Sequence, residues 1–242
     1  MRDQQTITAA VIMFDFGGCL DTNGIHNRTL LFNAFVEVGL LDRSARAQFD
    51  DAYTRVDAGI NVRGLALGMG LEAMNRLYVE ELSRLLGQED QSGRLAEANR
   101  LVCALQKRVL DINRAVLARL SEDFTLGVVS NFSGNLTTIL EESRIRDYVS
   151  FVIESYHAKV AKPDPAIFGL ALEACGRSAR DCVFVGDNPE RDLAPARALG
   201  MKTVLVCADP DASKLRDRSG PGPVADAYIR EVSALLDLVH RA

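Results

Sequence analysis

The chain has 242 residues, 48% of them hydrophobic and 25% charged, which at about 100–200 residues per domain suits one large domain or a core carrying a smaller insert. Its 28 basic and 33 acidic side chains leave a formal net charge of −5, which argues against a protein that grips the nucleic-acid backbone. No apolar run approaches the ~18–20 residues of a membrane span, and residues 9–14 are too few for the ~7–15-residue core of a secretory leader, so the cytoplasm is the expected compartment.

In chain order, residues 9–14 are the first of five short runs rich in Val, Ile and Phe; the others are 124–129, 148–153, 182–185 and 203–207. None alternates strictly, which predicts parallel strands covered on both faces. From residue 23 to 118 there is no convincing strand. The periodicity there predicts amphipathic helices over 25–40, 44–56, 71–86 and 95–120, with Gly59, Gly64, Gly68 and Gly70 dividing the second from the third.

Beyond residue 118, strands and capped helices alternate. Ser133 precedes Leu136, Ile139 and Leu140; Asp164 and Pro165 read as N-cap and first helical residue; Asn188 and Pro189 repeat that pattern, and Gly200 supplies a stop. Such alternation predicts right-handed crossovers and a parallel sheet, so the expectation is an α/β core interrupted by an all-helical insert. Residues 209–223, rich in Gly, Pro and charge, are expected to form an exposed connection. The five cysteines (Cys19, Cys103, Cys175, Cys182, Cys207) are odd in number, scattered and free of any CxxC pair, the pattern of small buried thiols rather than of disulfides or a zinc site.

A parallel sheet gathers the carboxyl ends of its strands on one rim, where ligands bind. Here those ends carry Asp15, Ser130 with Asn131, Glu154 with Ser155, and Asp187, while Lys162 precedes the next helix. The segment Phe14-Asp15-Phe16-Gly17-Gly18-Cys19-Leu20, then Val128-Val129-Ser130-Asn131, Lys162-Pro163-Asp164-Pro165, and Val185-Gly186-Asp187 with Asp192, resemble in order and spacing the four motifs of the haloacid dehalogenase superfamily. The resemblance covers nearly the whole chain. It implies a three-layer Rossmann-like core over 1–22 and 112–242, with an α-helical cap over 23–111 hinged near 22–24 and 111–118.

The resemblance also implies a chemistry. Asp15 would attack phosphorus as the nucleophile. Mg²⁺ would be held by Asp15, Asp187 and the backbone carbonyl of Gly17, a hard oxygen site. Ser130 and the N–H groups from Asn131 onward would bind the phosphate of a small phosphorylated metabolite. Lys162 would neutralise charge, and Asp192 and the helix N-cap residue Asn188 would stand behind the direct ligands, Asp192 orienting Lys162 or a metal-bound water. Three carboxylates and a phosphate dianion against one ammonium leave an excess of negative charge, which would raise a carboxylate pKa unless a cation relieves it. In the insert, His26 reads as a helix-start residue or a proton shuttle, and Asn61 and Arg63 as loop residues or substrate contacts.

One departure from the family pattern stands out. Gly17 occupies the place of a second Asp that in relatives protonates the leaving group and activates water, so no acid–base group comes from that position, and a phosphomutase is disfavoured. Cys19 stands where Thr is usual. Other readings stay open: a fold retained for binding or regulation, or a 2-haloacid dehalogenase working without metal, although Gly186-Asp187 and Gly17 depart from the dehalogenase pattern. A phosphonatase would need a cap lysine, and the first lysine of the chain is Lys107.

Overall fold

The computed structural model describes residues 6–88, 93–208 and 225–241; the expected connection at 209–223 lies outside the described residues. The first apolar run divides in two. β1 (Ile7–Ala9) pairs in parallel with the last strand, β8 (Val239–Arg241), and β2 (Val11–Phe14) enters the main sheet. That sheet has six parallel strands rather than the five foreseen: β2, β3 (Thr125–Ser130), β4 (Phe151–Glu154), β5 (Cys182–Gly186), β6 (Lys202–Val206) and β7 (Ala227–Ile229), in the order β4-β3-β2-β5-β6-β7. The three-residue strands β1, β7 and β8 are too short to leave a periodic signature.

Alternation along the strands sends side chains into two cores, which makes three layers. Ile12, Phe14, Val128, Val183 and Val185 face one core, which continues into the helical insert. Val11, Met13, Val129 and Phe184 face the other, against Ile167, Phe168 and Ala196. Both sets are fully enclosed, which is why neither face shows polar residues in the sequence.

Between β2 and β3 lie α1 (Asn27–Glu37), α2 (Arg46–Arg63), α3 (Leu71–Leu85) and α4 (Arg94–Leu120). The expected end of the second helix at residue 56 needs correction. α2 runs through Gly59 and stops at Gly64, which takes φ 62° as its C-terminal cap. An interior glycine costs about 1 kcal/mol against alanine, but continuing the helix buries Ile60 completely, and that burial outweighs it. α4 likewise runs unbroken through residues 111–118, so the second expected hinge lies inside a helix. Asn113 ties that stretch to the first loop, donating to the carbonyl of Leu20 at 2.8 Å. Among the described residues, no helix is long and apolar enough to cross a membrane.

The later helices are α5 (Leu136–Glu142), α6 (Ser155–Ala158), α7 (Pro165–Cys175), α8 (Ala194–Ala198) and α9 (Leu235–Leu238). Asp164 caps α7 by accepting from the Ala166 N–H. Asn188 accepts from the N–H groups of Glu190 and Arg191 in the turn that leads to α8. From β2 the chain builds outward through β3 and β4, then crosses back to add β5 on the other side. The carboxyl ends of β2 and β5 therefore flank the switch point, where an open α/β sheet leaves a crevice.

Candidate active site

Asp15 and Asp187 follow those two strand ends. The register sets Phe14 opposite both Val128 and Val185, and the Asp15 N–H donates to the carbonyl of Val185 at 2.9 Å. Asp15 is thereby fixed in the crevice floor, with only 7% of its surface exposed. Its Oδ1 accepts from the Phe16 N–H and from Ser130 Oγ, each at 2.7 Å. The Lys162 ammonium lies 2.8 Å from the same oxygen and 2.7 Å from Asp192 Oδ1.

Asn131 lines the cavity and is bonded to the backbone of Lys162. Its side-chain amide donates to the Lys162 carbonyl and its Oδ1 accepts from the Lys162 N–H, both at 2.8 Å, which clamps the lysine backbone. Asp192 is anchored in turn by the Asn188 N–H at 3.0 Å. Burial works against the charge on Lys162, but Asp15 and Asp192 outweigh it and hold its pKa above the ordinary value. Burial lifts Asp192 to about 6, with Lys162 opposing and Asp15 adding to the rise. Asp187, half-buried, is driven well above the usual carboxylate range by desolvation and by the neighbouring Asp15 and Asp192.

Oxygens of Asp15, Asp187 and Asp192 lie within 4.8 Å of one another. Hard carboxylate oxygens at that separation suit a divalent cation of the Mg²⁺ kind. The backbone around them leaves room for this cluster. Gly18 takes φ +89°, and a Cβ there would sit 2.3 Å from Asp187 Oδ2; one at Gly186 would sit 2.6 Å from Asp192 Oδ2. Gly17 differs: its φ is −73° and a Cβ would meet nothing within 4 Å.

A cavity of about 460 Å³ opens over this floor, lined from the core by Asp15, Gly17 and Lys162 and from the insert by His26, Tyr53 and Asn61. His26 caps α1, its Nδ1 accepting from the Arg28 N–H at 3.1 Å. Burial, then Arg191 and Arg28, lower its pKa. Asn61 lines the cavity but its amide donates to the Asp57 carbonyl. Arg63 does not belong to the site: it is exposed and bonds the Gly59 carbonyl. Because α2 is still helical there, Arg63 lies about 200° around the axis from Asn61. Glu154 and Ser155, at the rim by sequence position, both make structural hydrogen bonds, and Ser155 also lines the cavity. Glu154 accepts from the N–H groups of Gly134 and Leu136 at the start of α5, and Ser155 Oγ accepts from the Phe132 N–H. Cys19 is fully buried, its thiol pushed up by burial and by Asp15, the opposite of an activated nucleophile.

Two features escaped the sequence reading. Tyr53, Asp57 and Asn61 form an i, i+4, i+8 stripe on α2 facing the cavity, hidden by ending the helix at residue 56. Asp21, 3% exposed, curls back under the first loop. Its Oδ1 accepts from the Gly18 N–H at 2.7 Å, and its Oδ2 from Gln106 of α4 at 2.9 Å. Its only sequence signal is a lone carboxylate closing an apolar run.

Burial raises Asp21 from 3.8 to about 6 despite the hydrogen bonds from Gly18 and Gln106 that favour its charged form. The folded state therefore binds more protons than the unfolded chain between those values, and this group's contribution to stability falls as pH rises through that window. Relative to wild type, Asp21→Asn is expected to gain up to ~3 kcal/mol between pH ~4 and ~7. Denaturant unfolding at a series of pH values checks this. A difference that stays flat across the series would place the carboxyl in its ordinary range.

The model of the family described as haloacid dehalogenase-like hydrolase matches residues 9–200. Haloacid dehalogenase-like hydrolase domain-containing protein 3 of Danio rerio is 46% identical over 80 residues, which are 33% of this chain and 33% of that one. Ribulose-1,5-bisphosphate 5-phosphatase of Halopiger xanaduensis is 34% identical over 120 residues, 47% of this chain and 50% of that one. The match thus spans a third to a half of the length of these relatives. A dehalogenase crystal structure with an intermediate complex superposes with a TM-score of 0.60 at 17% identity, covering 96% of this chain and 98% of that one, a likeness of fold.

Proposed function

This chain belongs to the haloacid dehalogenase-like hydrolases, and on that premise we propose that it is a Mg²⁺-dependent phosphatase of a small phosphorylated metabolite. The observation that carries the reading is the triple hold on Asp15 Oδ1 by Phe16, Ser130 and Lys162 beside Asp187 and Asp192. The hold orients the carboxylate so that an oxygen can attack phosphorus. Similarity to a protein named ribulose-1,5-bisphosphate 5-phosphatase supports the same class, and the free cysteines suit the reducing cytoplasm.

In the first step, a bond forms between an Asp15 oxygen and phosphorus while the bond to the leaving oxygen breaks, giving an aspartyl-phosphate. In the second, water attacks that phosphorus, releasing phosphate and restoring Asp15. Lys162 supplies positive charge beside Asp15, Asp192 and Asn131 position Lys162, and Ser130 offers a donor to the incoming phosphoryl oxygens once it leaves Asp15. Asp15, Asp187 and the Gly17 carbonyl would hold Mg²⁺, which when bound screens the carboxylates from the incoming phosphate. Residues 23–111 serve as a cap that limits water over the cavity.

EDTA is expected to abolish phosphate release, and added Mg²⁺ to restore it, across a screen of acyl, sugar and nucleotide phosphates. Halide released from a 2-haloacid without metal would turn the reading to a dehalogenase. Binding of phosphorylated compounds with no turnover under any metal would leave a binding protein.

A further inference from the structure

Building on the phosphatase reading, we infer that the substrate carries a second anionic group, a carboxylate or another phosphate, held between Arg28 at the start of α1 and Arg191 in the turn before α8. Both residues line the same cavity as Asp15, Arg28 from the insert and the exposed Arg191 from the core. Among the described residues neither forms an ion pair, whereas Arg46, Arg84, Arg100 and Arg119 each engage a neighbouring carboxylate. Their charge is therefore available to a ligand.

The Arg28 side chain is held in place, and Arg191 is fixed through its backbone. The Arg28 guanidinium lies 5.0 Å from the Tyr53 ring centroid and donates to Thr54 Oγ1 at 3.2 Å, while its Nε is buried with no partner. A buried, unpaired donor of a charged group is costly unless something accepts from it. The Arg28 backbone is pinned by His26 in the first turn of α1, where the helix dipole adds positive potential. Arg191 is pinned by Asn188, and it immediately precedes the Asp192 that engages Lys162.

An arginine fork matches the paired oxygens of a carboxylate or phosphate, and two forks facing one space define a site for such a group. Asp57 faces the cavity too, accepting from the Tyr78 hydroxyl at 2.7 Å. Its charge repels an anion laid against α2 and steers it toward the arginines. The lowered pKa of His26, to which Arg191 and Arg28 both contribute after burial, reports the same positive potential. The expected substrate is thus a compact metabolite with phosphate at one end and an anion at the other.

The test compares 4-carboxyphenyl phosphate with 4-carbamoylphenyl phosphate, and the corresponding carboxymethyl and carbamoylmethyl pair. Each pair is close in size and differs by one charge. Wild type is expected to prefer the carboxylate in kcat/KM by about tenfold or more in at least one pair, chiefly through KM. Arg28→Gln and Arg191→Gln are each expected to cut that ratio about tenfold, with Arg28→Lys losing less, and thermal unfolding checks that the variants fold. Equal rates within both pairs for wild type, or a preference that survives in the double variant, would overturn the inference. If no substrate releases phosphate, the phosphatase reading falls, and calorimetric Kd ratios for the same pairs decide the arginine site separately.

Discussion

Replacing Asp15 by Asn is expected to reduce phosphate release by about 10³-fold or more while leaving the fold intact. An amide is a far weaker nucleophile than a carboxylate, so the covalent route closes. The substitution spares the local geometry, because the Asn Oδ1 still accepts from Phe16 and Ser130 and stays beside Lys162. It also removes a negative charge that raises the pKa of both Asp187 and Asp192. The variant should accordingly unfold at a temperature no lower than wild type in the metal-free state. Single-turnover phosphate release, paired with thermal unfolding in EDTA, measures both outcomes. Near-wild-type release by a folded Asp15→Asn protein would remove Asp15 from the mechanism.

The second large effect concerns Gly17. With no carboxylic acid two residues after Asp15, the leaving oxygen departs largely unprotonated, and rates should fall steeply as the leaving-group pKa rises. His26 is a weak substitute: its lowered pKa keeps it mostly neutral near pH 7, and its Nδ1 already accepts from Arg28. General acid catalysis is typically worth about 10²–10⁴-fold. Gly17→Asp is expected to recover part of that factor for alkyl monoesters and to flatten the leaving-group dependence. Space permits it, since a Cβ at Gly17 meets nothing within 4 Å and the backbone has an ordinary φ. The same change at Gly18 would drive a side chain into Asp187 and serves as the contrasting control. The measurement is kcat/KM over phosphates of graded leaving-group pKa, and a shallow slope shared by wild type and Gly17→Asp would mean that another group already supplies the proton.

Much of this architecture was legible locally. The buried runs announced the five longer strands because a strand covered on both faces has no polar alternation to dilute it. The caps at Asp164 and Asn188 were readable because capping is settled within three residues. Asp15, Ser130, Lys162 and Asp187 could be placed on one rim because parallel strands share a direction, whatever packs around them.

Other features depend on contacts between segments far apart in the chain. Whether α2 stops at Gly59 or Gly64 was decided by the burial of Ile60, which no window around the glycine reveals. That in turn decided that Asn61 faces the cavity and Arg63 faces away. Asp21 became a buried carboxylate only because α4 brings Gln106 against it. Arg28 and Arg191 share one cavity only because the insert folds back over the rim. The sequence by itself determined the succession of strands and helices and the polar residues at the strand ends, since periodicity and capping act within a few residues; the role of Asp15 as nucleophile is what the family resemblance implies. The helix faces turned to the cavity, and the cations that meet across it, were decided by tertiary packing, because burial and Coulomb interaction depend on distance in space rather than along the chain.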